Sequence, residues 1–178
     1  LPEDGNLTAV QLLQPWMHGA RIIMIPGVFD ACMRIQTELV KHWGVYPANS
    51  INPTRIAGHQ ATVFLIAQAN DWSMPDWIVA PVGNGSNVSS IADAQRKLRD
   101  MGFVSKTSRI LGCQAHAAAP LYASWPGGNL RGIALMNAWR KEYEPVTTSE
   151  TAANAIRIGN PKSAEKVMRG IVEFDGAM

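Results

Sequence analysis

Two glycines one residue apart, set between an apolar run and the start of a helical pattern, carry the strongest chemical signal in this sequence. The stretch is Asp76 to Val88, DWIVAPVGNGSNV. Gly83 and Gly85 have no Cβ, so several backbone N–H groups can converge on one point, where the dipole of the following helix also favours negative charge. That is anion chemistry, and Gly83, Asn84, Gly85, Ser86 and Asn87 read as a phosphate cradle. The spacing matches neither GxGxxG nor GxxxxGK(S/T), so neither a dinucleotide fold nor a nucleoside-triphosphate loop is indicated. On turn chemistry alone, a tight strand-to-helix turn without a ligand stays equally open.

A second anion site is suggested by Asn49-Ser50-Ile51-Asn52-Pro53-Thr54-Arg55. Asn52 is a good N-cap and Pro53 a good first helical residue, which puts Arg55 in a first turn. A cation there is mildly unfavourable against the helix dipole. An anion held by the Arg55 fork, with hydroxyl and amide donors from Ser50 and Asn49, accounts for it. A surface arginine beside a capping turn is the alternative.

Other chemistry is hard to find. His18, His42, His59 and His116 show no HxxxH or HExxH spacing, which argues against a metal site. Ser149-Glu150-Thr151 and the remaining carboxylates form no recognisable triad or acid pair.

The elements that must position these residues alternate. The pattern predicts a helix over Thr8–His18, interrupted by Pro15 or starting late with Gln14 as cap, then a strand at Arg21–Ile25. Asp30 caps a helix to Trp43 with Cys32, Ile35, Leu39 and Trp43 on one face and Gly44 as its stop. Val45–Ala48 reads as a strand weakened by Pro47, and the helix capped by Asn52 runs to Ala69. Trp77–Ala80 has the length and β-branched content of a strand buried on both faces. Val88, Ile91, Gln95, Leu98 and Met101 mark the next helix, closed by Gly102, and Arg109–Ala115 the next strand. Trp125–Asn129 is a loop, Leu130–Tyr143 a helix, and Ser163 caps a last helix with Val167, Met168, Ile171 and Val172 inward. Strands alternating with helices imply an α/β fold with parallel sheets, flanking helices and right-handed crossovers.

At 178 residues, 47% hydrophobic and 17% charged, the chain is ordinary globular material for at most two small domains. A net charge of +2 is too small to imply nucleic acid or membrane as a partner, and Arg96-Lys97-Leu98-Arg99 reads as a solvated helix face. No apolar run approaches the roughly 18 residues of a membrane span. Cys32 and Cys113 read as buried free thiols in a reducing compartment, which makes the cytoplasm the default. The opening Leu1-Pro2-Glu3-Asp4-Gly5 lacks an initiator Met and reads as the start of an excised segment.

Four motifs in order, NSINPTR (49–55), PDWIVAPVGNGSN (75–87), ILGCQAHAAAPLY (110–122) and TAANAIRIGNP (151–161), resemble the middle of the threonine synthase family. GARIIMIPGVFDA (19–31) is similar to the strand–turn–helix that precedes the family's NS-NP-R motif, and only residues 123–148 are unmatched. The resemblance implies a pyridoxal-phosphate enzyme of fold type II, related to the tryptophan synthase β-subunit and present here in part. Residues 1–57 would belong to its smaller α/β domain and 58–178 to the larger, which carries the cofactor loop. It also implies that Gly83, Asn84, Gly85, Ser86 and Asn87 hold the phosphate of pyridoxal 5'-phosphate. Asn49, Ser50 and Arg55, with Asn87 shared, would hold the phosphate of O-phosphohomoserine. The family reaction eliminates phosphate from the γ-carbon and adds water at the β-carbon, giving threonine; a homodimer is compatible with it.

Departures from the family are informative. Ser86 stands where a Gly or Ala is common, a change the loop absorbs if its φ is negative. The Schiff-base lysine belongs upstream of the matched region, and this chain has no lysine before Lys41, which does not fit the lysine motif. No catalytic residue is therefore expected within these residues. Two other readings follow: a non-catalytic phosphate-ligand or interaction module on the same scaffold, or a sibling pyridoxal-phosphate enzyme that would not need Arg55.

Overall fold

Apolar periodicity in the second half of the chain is strong enough to build a core, whereas the described residues before Asn52 bury little beyond Met33. The computed structural model describes residues 1, 9–27, 29–50, 52–146 and 151–178, without the side chains of residues 29, 30 and 154. Along the chain run α1 (Ala9–Met17), α2 (Phe29–Trp43), α3 (Pro53–His59), α4 (Ala61–Ala69) and β1 (Trp77–Pro81). They are followed by α5 (Ser86–Asp100), β2 (Arg109–Cys113), α6 (Pro120–Ala123), α7 (Gly132–Glu142) and α8 (Ala164–Glu173). The helix start at Thr8 and the Ser149-Glu150 pair lie outside what is described, and Asp30 is the second residue of α2 rather than its cap, because the helix already begins at Phe29.

The α/β class expected from the sequence is present as helices around a parallel sheet. β1 and β2 pair in parallel, from Trp77 opposite Arg109 to Pro81 opposite Cys113, with α5 as the crossover. On the other edge of β2, Ala177 donates to the Ile110 carbonyl and accepts from the Gly112 N–H, both at 2.9 Å. Val88, Ile91, Ala92 and Leu98 of α5 and Val167, Met168 and Ile171 of α8 join Val82, Ile110, Leu121 and Trp139 in one core. Two small residues set how closely α5 and α8 pack: a Cβ on Gly170 would lie 2.6 Å from the Cβ of Ala92. Gly170→Val is expected to cost about 2–4 kcal/mol by forcing the pair apart. An unshifted thermal unfolding midpoint would show that this contact does not set the core.

Ion pairs tie the helices at the surface. Arg96 of α5 reaches Glu173 of α8 at 2.6 Å, and Arg140 of α7 pairs with Glu165 of α8, which Arg169 also contacts at 3.0 Å. Hydrogen bonds from Arg140, and secondarily Arg169, hold the Glu165 carboxyl below the usual carboxylate range. A depressed carboxyl stabilises the fold above its unfolded pKa, and the contribution is lost as pH falls through the folded value. Glu165→Gln should therefore be slightly less stable than the parent at neutral pH, and the gap should close on acidification. Urea midpoints that differ equally at neutral pH and well below the carboxylate range would contradict this.

Several expectations are corrected. No strand forms at Arg21–Ile25 or Val45–Ala48. An extended segment becomes a strand only beside a partner, and among the described residues the first pairs with Leu1, whose amine donates to the Ile23 carbonyl and whose carbonyl accepts from Ile25, leaving no more than a bridge at Ile25. Pro47 additionally has no N–H to give. The helix from Pro53 breaks at Gln60 into α3 and α4, and α1 continues through Pro15. β1 is buried on one face rather than two: Ala80 is buried and Ile78 half-buried, while Trp77 and Val79 are exposed on the uncovered side of a two-stranded sheet. On α2, Ile35, Leu39 and Trp43 are exposed because no described element covers that face. Nor are the thiols buried, since Cys32 is half-exposed and Cys113, the last residue of β2, faces outward. Among the described residues no helix is long and apolar enough to cross a membrane.

Candidate functional site

The glycine-rich loop is held from behind by the start of α8. Val82, fully buried, donates to the Cys113 carbonyl at 2.7 Å and so pins the loop to the end of the sheet. Asn84, 6% exposed, accepts twice: its carbonyl from the Ser163 N–H at 3.1 Å and its Oδ1 from the Lys162 N–H at 2.6 Å. Its Nδ2 is buried with no protein partner among the described residues. Gly85 is left-handed at φ +90°, forms the N-cap of α5 without a side-chain cap, and packs so closely that a Cβ would sit 2.5 Å from Val167 Cγ2. Ile156 and Ile158 close over Gly83, whose Cβ would lie 3.2 Å from the Ile156 Cα.

This arrangement leaves donors together. None of the N–H groups from Gly83 to Val88 donates to another described group. They lie at the N-terminus of a 15-residue helix, so an anion with several acceptor oxygens fits them. Ser86 starts the helix with ordinary negative φ, the positive φ being taken by Gly85 alone in this loop. Among the described residues no three His, Cys, Asp or Glu side chains cluster as metal ligands would.

The second group is assembled by the cap of α3. Asn52 is buried, its Oδ1 accepts from the Arg55 N–H at 3.1 Å, and its Nδ2 donates to the Pro47 carbonyl at 2.8 Å. That double tie bends the chain so that Arg55 Nη1 donates to Ser50 Oγ at 2.8 Å. Asn49 Nδ2 donates to Gln36 Oε1 and approaches Met33 Sδ at 3.7 Å, joining α2 to the motif. Asn49, Ser50 and Arg55 thus line one cleft of about 460 Å³, together with Gln36 and the apolar side chains of Met33 and Ile25. No carboxylate among the described residues lines it, and the Arg55 guanidinium is exposed. Asn87, exposed in the first turn of α5, is not brought into this cleft. Gln36 and Met33 escaped the sequence reading; their i, i+3 spacing on α2 puts them on one face but says nothing of which loop that face meets.

A family model described as pyridoxal-phosphate dependent enzyme matches residues 1–177. Threonine synthase of Methanocaldococcus jannaschii is 32% identical over 176 residues, covering 99% of this chain and 40% of its own length. Threonine synthase of Methanosarcina acetivorans is 33% identical over 172 residues, 97% of this chain and 40% of the relative. Threonine synthase 2, chloroplastic, of Arabidopsis thaliana is 30% identical over 176 residues, 99% and 32%. The chain therefore spans two fifths or less of the length of these relatives. Maize serine racemase has a similar fold, with a TM-score of 0.68 at 18% identity over 99% of this chain and 46% of that one. Threonine deaminase isoform 2 of Solanum lycopersicum, in its processed form, gives 0.63 at 15% identity over 93% and 40%.

Proposed function

We propose a function from one premise: this chain belongs to the pyridoxal-phosphate dependent enzyme family and has part of its type II fold. It is an internal piece of a threonine synthase-type lyase that converts O-phosphohomoserine and water to threonine and phosphate. The names of its relatives support this. The observation that carries it is the Arg55–Ser50 hydrogen bond in a cleft shared with Asn49 and free of carboxylates among the described residues, a site built for an anion outside the glycine-rich loop.

The residues fit the family's cofactor. Gly83, Asn84, Gly85, Ser86 and Asn87 would hold its phosphate through backbone N–H groups that donate to no other described group, and the buried Nδ2 of Asn84, without a partner among the described residues, has hydrogens left to give. When bound, pyridoxal phosphate supplies the electron sink for carbanion chemistry. This chain's own residues bind and orient: the loop holds one phosphate, and Arg55, Ser50 and Asn49 hold the other and stabilise its charge as it leaves. Residues 1–57 are assigned to part of a smaller α/β domain and 58–178 to part of the larger, and the break between α3 and α4 at Gln60 lies close to that seam.

The test is phosphate release from O-phosphohomoserine by the full natural polypeptide loaded with cofactor. Threonine and phosphate appearing in equal amounts is the expected result. Dehydration of serine or threonine without phosphate release would assign the chain to a sibling enzyme instead.

A further inference from the structure

The geometry points to Gln36 of α2 as a further donor to the substrate's phosphate, an inference that rests on the reading of the Arg55 cleft just given. A primary amide has an acceptor at one end and two N–H donors at the other. The acceptor end of Gln36 is committed, because its Oε1 receives the Asn49 Nδ2 hydrogen. That bond leaves the Nε2 end as the one with hydrogens to give. Its Nε2 donates to no other described residue, and Gln36 is half-buried in the wall of the same cleft as Asn49, Ser50 and Arg55.

The sign of the charge there favours an anion. The described side chains lining the cleft carry one guanidinium, a hydroxyl, a thiol and amide groups, and no carboxylate, beside the apolar Ile23, Ile25 and Leu39. An amide whose oxygen is already engaged by Asn49 offers its N–H donors without adding charge, which suits the oxygens of a phosphate that Arg55 also meets. None of the sequence motifs includes Gln36, because the contact depends on where α2 lies across residues 49–50.

Two variants separate donation from mere support of Asn49. Gln36→Glu keeps an acceptor for the Asn49 N–H but replaces the donor with a negative charge; Gln36→Met removes both at similar length. In the full natural polypeptide with cofactor, Gln36→Met should raise KM for O-phosphohomoserine about tenfold, the worth of a hydrogen bond to a charged group. Gln36→Glu should raise it on the order of a hundredfold or more by like-charge repulsion. kcat should stay within about threefold, since a contact made equally before and during reaction affects KM alone. Competitive inhibition by inorganic phosphate should weaken in parallel, which distinguishes lost anion binding from lost folded enzyme. A Glu variant no worse than the Met variant overturns donation and leaves Gln36 as a support for Asn49. Both variants unchanged while Arg55→Ala raises KM removes Gln36 from the site but keeps the cleft. Arg55→Ala unchanged as well would overturn the reading of the cleft, and this inference with it.

Discussion

Gly85→Val is expected to lose most cofactor affinity and to destabilise the protein by about 3–5 kcal/mol, the sum of two separable costs. The first is conformational, because φ +90° is a backbone state that a β-branched residue hardly enters. The second is steric: the new Cβ would lie 2.5 Å from the Cγ2 of Val167, a fully buried side chain in the α8 face, and 3.2 Å from the Ser163 Cβ. Relief requires the loop to move away from α8, which breaks the Asn84 bonds to Lys162 and Ser163 and scatters the N–H groups at the head of α5. Losing two or three charge-assisted donors at once should weaken cofactor binding by about a hundredfold or more. Gly102→Ala is the matched control. Its φ is +74° with nothing within 4 Å of the added Cβ, so it carries the conformational cost of about 1–2 kcal/mol alone. Thermal unfolding and cofactor absorbance on both variants check this; Gly85→Val with normal cofactor content would remove the loop from the cofactor site.

The contrast between these two glycines also shows where the sequence was legible. Local chemistry is read correctly where a residue's role is decided by its own neighbours. Asn52 and Pro53 start a helix, Gly44 and Gly102 end theirs in left-handed backbone, and the two loop glycines precede α5. Ser86 fits for a local reason as well, standing one residue past the position that needs positive φ. What failed depended on partners distant in sequence. Arg21–Ile25 has strand composition but, among the described residues, meets only Leu1, and β1 looks doubly buried by its apolar run although half its side chains face outward. Ile35 and Leu39 repeat at core spacing on a helix whose apolar side is uncovered among the described residues. The same limit applies to the site: Asn49, Ser50 and Arg55 were found together because they lie in one short motif, whereas Gln36 and the Asn84–Lys162 bond join segments that only the fold brings together.

Arg55→Ala should raise KM for O-phosphohomoserine by about tenfold to a hundredfold, the worth of a charge-assisted contact to phosphate. The expectation rests on Arg55 being placed rather than merely present. Asn52 Oδ1 holds its backbone N–H, and Ser50 Oγ receives one guanidinium N–H, which limits the rotamers the side chain must give up when an anion arrives. The variant removes nothing from the core, since Arg55 is exposed and the cap bond uses only its backbone, so stability should change by less than about 0.5 kcal/mol. Arg55→Lys discriminates further. A lysine keeps the charge but not the planar fork, and at a site that reads phosphate with two parallel N–H groups it should recover only part of the loss. If Arg55 meets the substrate through its phosphate alone, discrimination against homoserine, which lacks it, should fall by the same factor as affinity for the phosphorylated substrate. Full activity in Arg55→Ala together with unchanged preference over homoserine would place the substrate's phosphate elsewhere.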